Sequence, residues 1–73
     1  MKQVAIRTEY IQLGQFLKLA GCVSTGGEAK VLLQENKVTV NGEPEARRGR
    51  KLYNGDQVAL GEDLFLVCEA SRA

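Results

Sequence analysis

Seventy-three residues, 44% of them hydrophobic, suffice for one small domain with a single core. No apolar run approaches the roughly 18–20 residues of a membrane span, and the opening MKQVAIRTEY lacks the apolar stretch of a secretory leader, so a cytoplasmic protein is expected. The absence of His excludes His-dependent triads and imidazole metal sites, and a net charge of +1 by itself points to no class of partner.

The segment QVAIRT at 3–8 alternates apolar and polar residues and predicts a short strand. From Leu13 the period changes. Leu13, Phe16, Leu17 and Ala20 follow the i, i+3, i+4, i+7 stripe of an amphipathic helix, which Gly21 is placed to stop. Lys18 lies off that stripe and should meet solvent. Thr25-Gly26-Gly27-Glu28 fits the S/T-x-x-E capping box and predicts a second helix over about 26–36, ended by Asn36. Its buried face is expected to be Ala29, Leu32 and Leu33, with Val31 at the margin and Lys30 and Glu35 outside. The connection is short, so the two helices should pack as an αα unit.

Beyond Lys37, Val38-Thr39-Val40 alternates and Asn41-Gly42 signals a tight turn. Residues 43–51 include Pro44 and are mostly charged, which predicts an exposed loop or sheet edge. Leu52 and Tyr53 precede a turn at Asn54-Gly55-Asp56. Val58 and Leu60 mark a strand, Gly61 to Asp63 a turn, and Leu64 to Cys68 a final strand before a frayed EASRA tail. The whole chain, 1–73, therefore reads as one α+β domain: two packed helices against a short, mostly antiparallel sheet.

Catalytic chemistry finds little support. Cys22 has no His to activate it, and neither GxxxxGK[ST] nor GxGxxG occurs. Cys22 and Cys68 show no CxxC spacing. Two thiolates without imidazole would need carboxylates or a second chain to hold zinc, and a disulfide is disfavoured in a reducing compartment. Both are expected to be free thiols that help fill the core, and no metal or cofactor is expected.

Charge is distributed unevenly. Residues 1–51 carry nine Lys/Arg against five Asp/Glu, and residues 52–73 one against four. Arg47, Arg48, Arg50 and Lys51 put four cations in five positions around Gly49. A solvated polar loop would look the same, but the planar guanidinium fork suits phosphate oxygens and stacking on bases. The opening of the second helix is a separate candidate anion site, where Gly26 and Gly27 leave backbone N–H groups unobstructed and Glu28 works against it.

The order of these motifs resembles the S-four (αL-motif) RNA-binding domain family over about residues 11–60. Leu13, Phe16 and Leu17 stand at its first-helix apolar positions. Thr25 and Ala29 match its second helix, Val38, Val40, Asn41 and Gly42 its strand and turn, and Gly55-Asp56-Gln57-Val58 its closing motif. Gln12, Gly14 and Gly26 depart from family positions that often hold Arg, Asp and Arg. The segment TGGEAK followed later by RRGRK is closer to the small stand-alone YaaA/YbcJ-type bacterial branch, associated with RNA binding and ribosome assembly.

That resemblance implies a non-enzymatic RNA-binding module for structured ribosomal RNA or ribosomal particles, acting as a monomer. The implied site comprises Lys18, Lys30 and Lys37 on the helical side, Thr25, Gly26 and Gly27 as backbone and hydroxyl donors, and Arg47, Arg48, Arg50 and Lys51 in the loop, with loop cations replacing the missing helix ones. The alternative is a protein-binding adaptor using an exposed sheet edge or the acidic C-terminal surface.

Overall fold

A computed structural model describes residues 1–70. The elements run β1 (Lys2–Ile6), β2 (Tyr10–Gln12), α1 (Leu13–Leu19), α2 (Gly26–Gln34), β3 (Val38–Val40), β4 (Glu43–Pro44), β5 (Lys51–Tyr53), β6 (Gln57–Leu60) and β7 (Asp63–Glu69). A five-stranded sheet has the order β1-β7-β6-β3-β4, and β2 pairs with β5 in a separate ribbon. Only the β1–β7 pairing is parallel, joining the first strand to the last; the other ladders are antiparallel.

Both helices stop where local chemistry says they should. Gly21 is left-handed (φ +80°), and the N–H groups of Gly21 and Cys22 donate to the Lys18 and Leu17 carbonyls at 3.1 and 2.9 Å. Asn36 takes the same role after α2 (φ +56°), with Asn36 and Lys37 donating to Leu33 and Leu32 at 3.2 and 3.3 Å. Both ends are Schellman motifs. The second helix thus ends at Gln34, two residues short of the expected span, because Asn36 serves as the left-handed cap. At its start the Thr25 hydroxyl accepts the Glu28 N–H (3.2 Å), while the Glu28 carboxylate accepts the Ser24 N–H (3.3 Å). The reciprocal bond of the box has moved back one residue.

Asn41 and Gly42, both at positive φ (52° and 87°), form the two-residue hairpin loop between β3 and β4, whose pairing begins at Val40 and Glu43. Gly61 opens a second such loop between Leu60 and Asp63. Pro44, with no N–H to donate, lies on the edge strand, where none is needed.

The core joins Leu13, Phe16 and Leu17 of α1 and Ala29 and Leu33 of α2 to Val38, Val40, Val58, Phe65 and Val67 of the sheet and Leu52 of the ribbon. The Phe16 and Phe65 rings meet edge to face at 6.4 Å, fastening helix to sheet. Cys22 packs beside this core, and both cysteines are half-buried free thiols. Burial pushes the Cys22 thiol above its ordinary pKa, with the nearby Asp63 charge adding to it.

Four expectations need correction. The first strand ends at Ile6, because Arg7 to Glu9 bend so that Tyr10–Gln12 can pair with β5. Leu32 is only partly buried, since α2 turns Leu33 and Ala29 fully inward. The 43–51 stretch is not uniformly exposed: Glu45 is buried. Finally, the tail does not fray from Glu69, which belongs to β7, and the Ala70 N–H donates to the Ile6 carbonyl (2.7 Å); residues 71–73 lie outside the described residues.

Candidate functional site

Glu45 organises the basic loop. Its carboxylate accepts from the backbone N–H groups of Ala46 and Arg47, from Arg47 Nε and Nη2 at 3.0 and 3.1 Å, and from Arg50 Nη1 at 2.8 Å. Hydrogen bonds from the Arg47 guanidinium first, and Arg50 second, hold its pKa at about 2 against an ordinary 4.5. Two of the four clustered cations, Arg47 and Arg50, are therefore paired with a carboxylate of their own chain, Arg47 from an exposed position. Arg48 forms no ion pair with any described residue.

The loop so fixed closes the open end of α1. Gln12 is the N-cap residue, and its side chain makes no capping bond. Instead the Leu13 N–H donates to the Arg50 carbonyl (2.8 Å) and the Gly14 N–H to the Arg48 carbonyl (3.0 Å). Donors that a capping side chain often satisfies are met here by the backbone of the basic loop. A Cβ on Gly14 would stand in ordinary contact, 3.5 Å from Arg48 Cβ, and a longer side chain would have to enter the space beside it.

That space is an open cleft of about 280 Å³ lined by Gln12, Gly14, Gln15, Lys18, Gly26, Arg48 and Gly49. One turn along α1 from Gly14 brings in Lys18, and the first residue of α2 brings in Gly26. The first two amides of α2 have no acceptor within the helix, which puts partial positive charge at this end. Glu28 lies away from the cleft, lining a different hollow with Cys22, Val23, Val31 and Leu32. Two cations and a helix N-terminus on a wall without carboxylates make a surface suited to phosphate oxygens.

Of the sequence-predicted residues, Lys18, Gly26 and Arg48 thus share one cleft, with Thr25 and Gly27 flanking Gly26 in the chain. Lys30 is exposed further along α2. Lys37 pairs with Glu35 (3.6 Å) and borders an apolar groove with Leu32, Thr39, Ala59 and Leu60. Lys51 sits over the Tyr10 ring, 4.8 Å from its centroid. Sequence reasoning missed Glu45, Gln12, Gly14 and Gln15. Acids just ahead of an arginine cluster, Glu43 and Glu45, were a usable signal for the first, though not for which of the two; the glutamines carried none.

The family-like motifs have a different job. Asn41 Nδ2 donates to Asp56 Oδ1 (3.1 Å) and Asn41 Oδ1 accepts the Gln57 N–H (2.9 Å), so the Asn-Gly and Gly-Asp turns are tied to each other. Asp56 Oδ2 also accepts the Tyr53 N–H (2.7 Å). These bonds tie turns of the fold together, and none of the residues that make them lines the cleft.

Comparison with known proteins agrees with this architecture. The family model described as S4 domain matches residues 4–68, reaching into β1 and β7 beyond the 11–60 resemblance. The chain is also 58% identical over 57 residues to a Bacillus subtilis protein named "Probable ribosome maturation protein RlbA", a match covering 78% of this chain and 80% of that relative.

Proposed function

This chain belongs to the S4 domain family, and on that premise we propose that it is a non-catalytic RNA-binding protein that acts as a monomer in the cytoplasm on structured ribosomal RNA or its precursor, assisting ribosome maturation. The observation that carries the reading is the cleft shared by Lys18, Arg48 and the start of α2. RNA phosphates enter it, neutralised by the two side chains and met by the free amides of Gly26 and Gly27. Such contacts position a protein without reading sequence, so selectivity comes from the fold of the RNA and its unpaired bases. The relative's name, with its reference to ribosome maturation, supports the ribosomal part.

The adaptor alternative has less behind it. One sheet edge, β4, offers two residues including Pro44, and the other, β1, opens with a lysine that discourages strand pairing.

The test is the double change Lys18→Glu/Arg48→Glu. Both residues are exposed, so melting should move little while RNA affinity collapses. Neutral replacements should each flatten the plot of log affinity against log salt by roughly 0.7. A folded double variant with unchanged affinity and salt slope would remove the cleft as the RNA site. Crosslinking in cells that recovers ribosomal RNA only at background would remove the ribosomal assignment.

A further inference from the structure

The ribbon of β2 and β5 presents an aromatic face that the cleft does not use. Tyr10 stands directly opposite Tyr53, and Gln12 opposite Lys51. Strand alternation turns these four side chains outward, while Ile11 and Leu52 face the core. The two tyrosines are 38% and 45% exposed and adjacent, so together they leave aromatic surface open to solvent. Their centroids lie 6.0 Å apart at 46°, so neither ring covers the face of the other. The Lys51 ammonium occupies one face of Tyr10, leaving Tyr53 as the more open ring.

Tyr53 is also held firmly. Its N–H donates to the Asp56 carboxylate, and its carbonyl accepts the Asp56 N–H at 3.0 Å. Gln12 belongs to both surfaces: it lines the cleft and lies two residues from Tyr10 on the same side of the strand. That step is about 7 Å of strand. A strand of RNA whose phosphates rest between Lys18 and Arg48 would run onto the tyrosines, with Lys51 beside its path.

We propose that this ribbon face is a stacking site for an unpaired RNA base, seated on Tyr53 and backed by Tyr10, at the end of the phosphate cleft. The proposal rests on the RNA-binding reading and adds a ligand class to it: a loop, bulge or single strand adjoining structured RNA. Every base offers a π-face, so the site is tolerant of sequence but not of base pairing. The flanking cations Lys51 and Arg48 favour a polyanion over an apolar protein segment.

Tyrosine emission reads this site directly, because the chain has no Trp and its two tyrosines are this pair. The probes are a hairpin RNA with a loop of about eight unpaired adenosines and an uninterrupted duplex of the same stem. The loop RNA should quench the emission and the duplex should not. Tyr53→Ala and Tyr53→Leu should each weaken loop binding roughly five- to hundred-fold, while Tyr53→Phe stays close to the parent and duplex affinity is unchanged. Tyr53→Leu keeps apolar bulk on the ribbon, and thermal melting checks that it folds.

A folded Tyr53→Leu protein that binds the loop RNA like the parent, or equal quenching by both RNAs, would overturn the stacking site and leave the cleft intact. Failure of both RNAs to bind at low salt would overturn the RNA reading beneath it. Equal affinity of the parent for loop and duplex RNA, accompanied by tight capture of an apolar peptide on the same face, would assign the ribbon to a protein partner instead.

Discussion

Glu45 decides what the basic loop can do. Without it, four cations in five positions would repel one another and hold no particular shape. With it, Arg47 and Arg50 are spent on geometry, and Arg48 is presented on a loop bolted to α1. Glu45→Gln keeps the size of the side chain and removes its charge, so it should destabilise the domain by about 1–3 kcal/mol, a figure limited by the exposure of Arg47. The same group sets an acid response. Its pKa is lowered on folding, so its stabilising contribution is whole above about 4.5 and is lost as pH falls towards about 2. Relative to the intrinsic rate at each pH, amide exchange at Leu13 and Gly14, whose N–H groups bond the loop carbonyls, should therefore accelerate across that window in the parent. In Glu45→Gln it should be fast already at neutral pH; equal protection in both proteins would refute the link between Glu45 and the helix end.

At the scale of elements, the resemblance and the proposed site separate. The Asn41-Gly42 turn closes the β3–β4 hairpin and the Gly55-Asp56 turn carries the chain from the ribbon to β6, yet Asn41 and Asp56 bond each other, and Asp56 also bonds the start of the turn after β5. Such a network stabilises the fold wherever RNA binds. Asn41→Ala and Asp56→Ala should each destabilise by about 1–2 kcal/mol, with a coupling of about 0.5–3 kcal/mol in a double-mutant cycle followed by urea unfolding. Affinity for duplex RNA should hold in whatever fraction stays folded. Additive effects of the two changes would show that the turns are stabilised separately.

For the molecule as a whole, one core carries both layers. Leu33 is completely buried between α2 and the sheet, whereas Leu32 borders the groove beside Thr39 and Leu60. Truncating a buried Leu typically costs ~2–5 kcal/mol, comparable to the entire stability of a small domain, which is on the order of 5 kcal/mol. Leu33→Ala should therefore unfold most of the chain at 37 °C, while Leu32→Ala leaves it folded with a lowered midpoint. Equal denaturation midpoints for the two variants would count against this division of the α2 face.

The features legible in the chain alone lie within a few residues of their cause. The stop at Gly21, the Thr25 cap, the Asn41-Gly42 turn and the apolar stripe of Leu13, Phe16 and Leu17 all depend on neighbours three or four positions away, and that chemistry acts wherever the chain goes. The local reading failed where a distant segment had to supply the partner. Tyr10–Gln12 is a strand because β5 arrives beside it, and the parallel pairing of β1 with β7 requires the entire chain between them to have folded. The charge of the basic loop was legible, but its division into structural and free arginines was not, because that depends on the burial of one carboxylate. Lys18, Gly26 and Arg48 entered one cleft only when the loop carbonyls closed the end of α1. Tyr10 and Tyr53, 43 positions apart in the sequence, became one aromatic face because cross-strand register placed them opposite each other, and register is a property of the folded sheet.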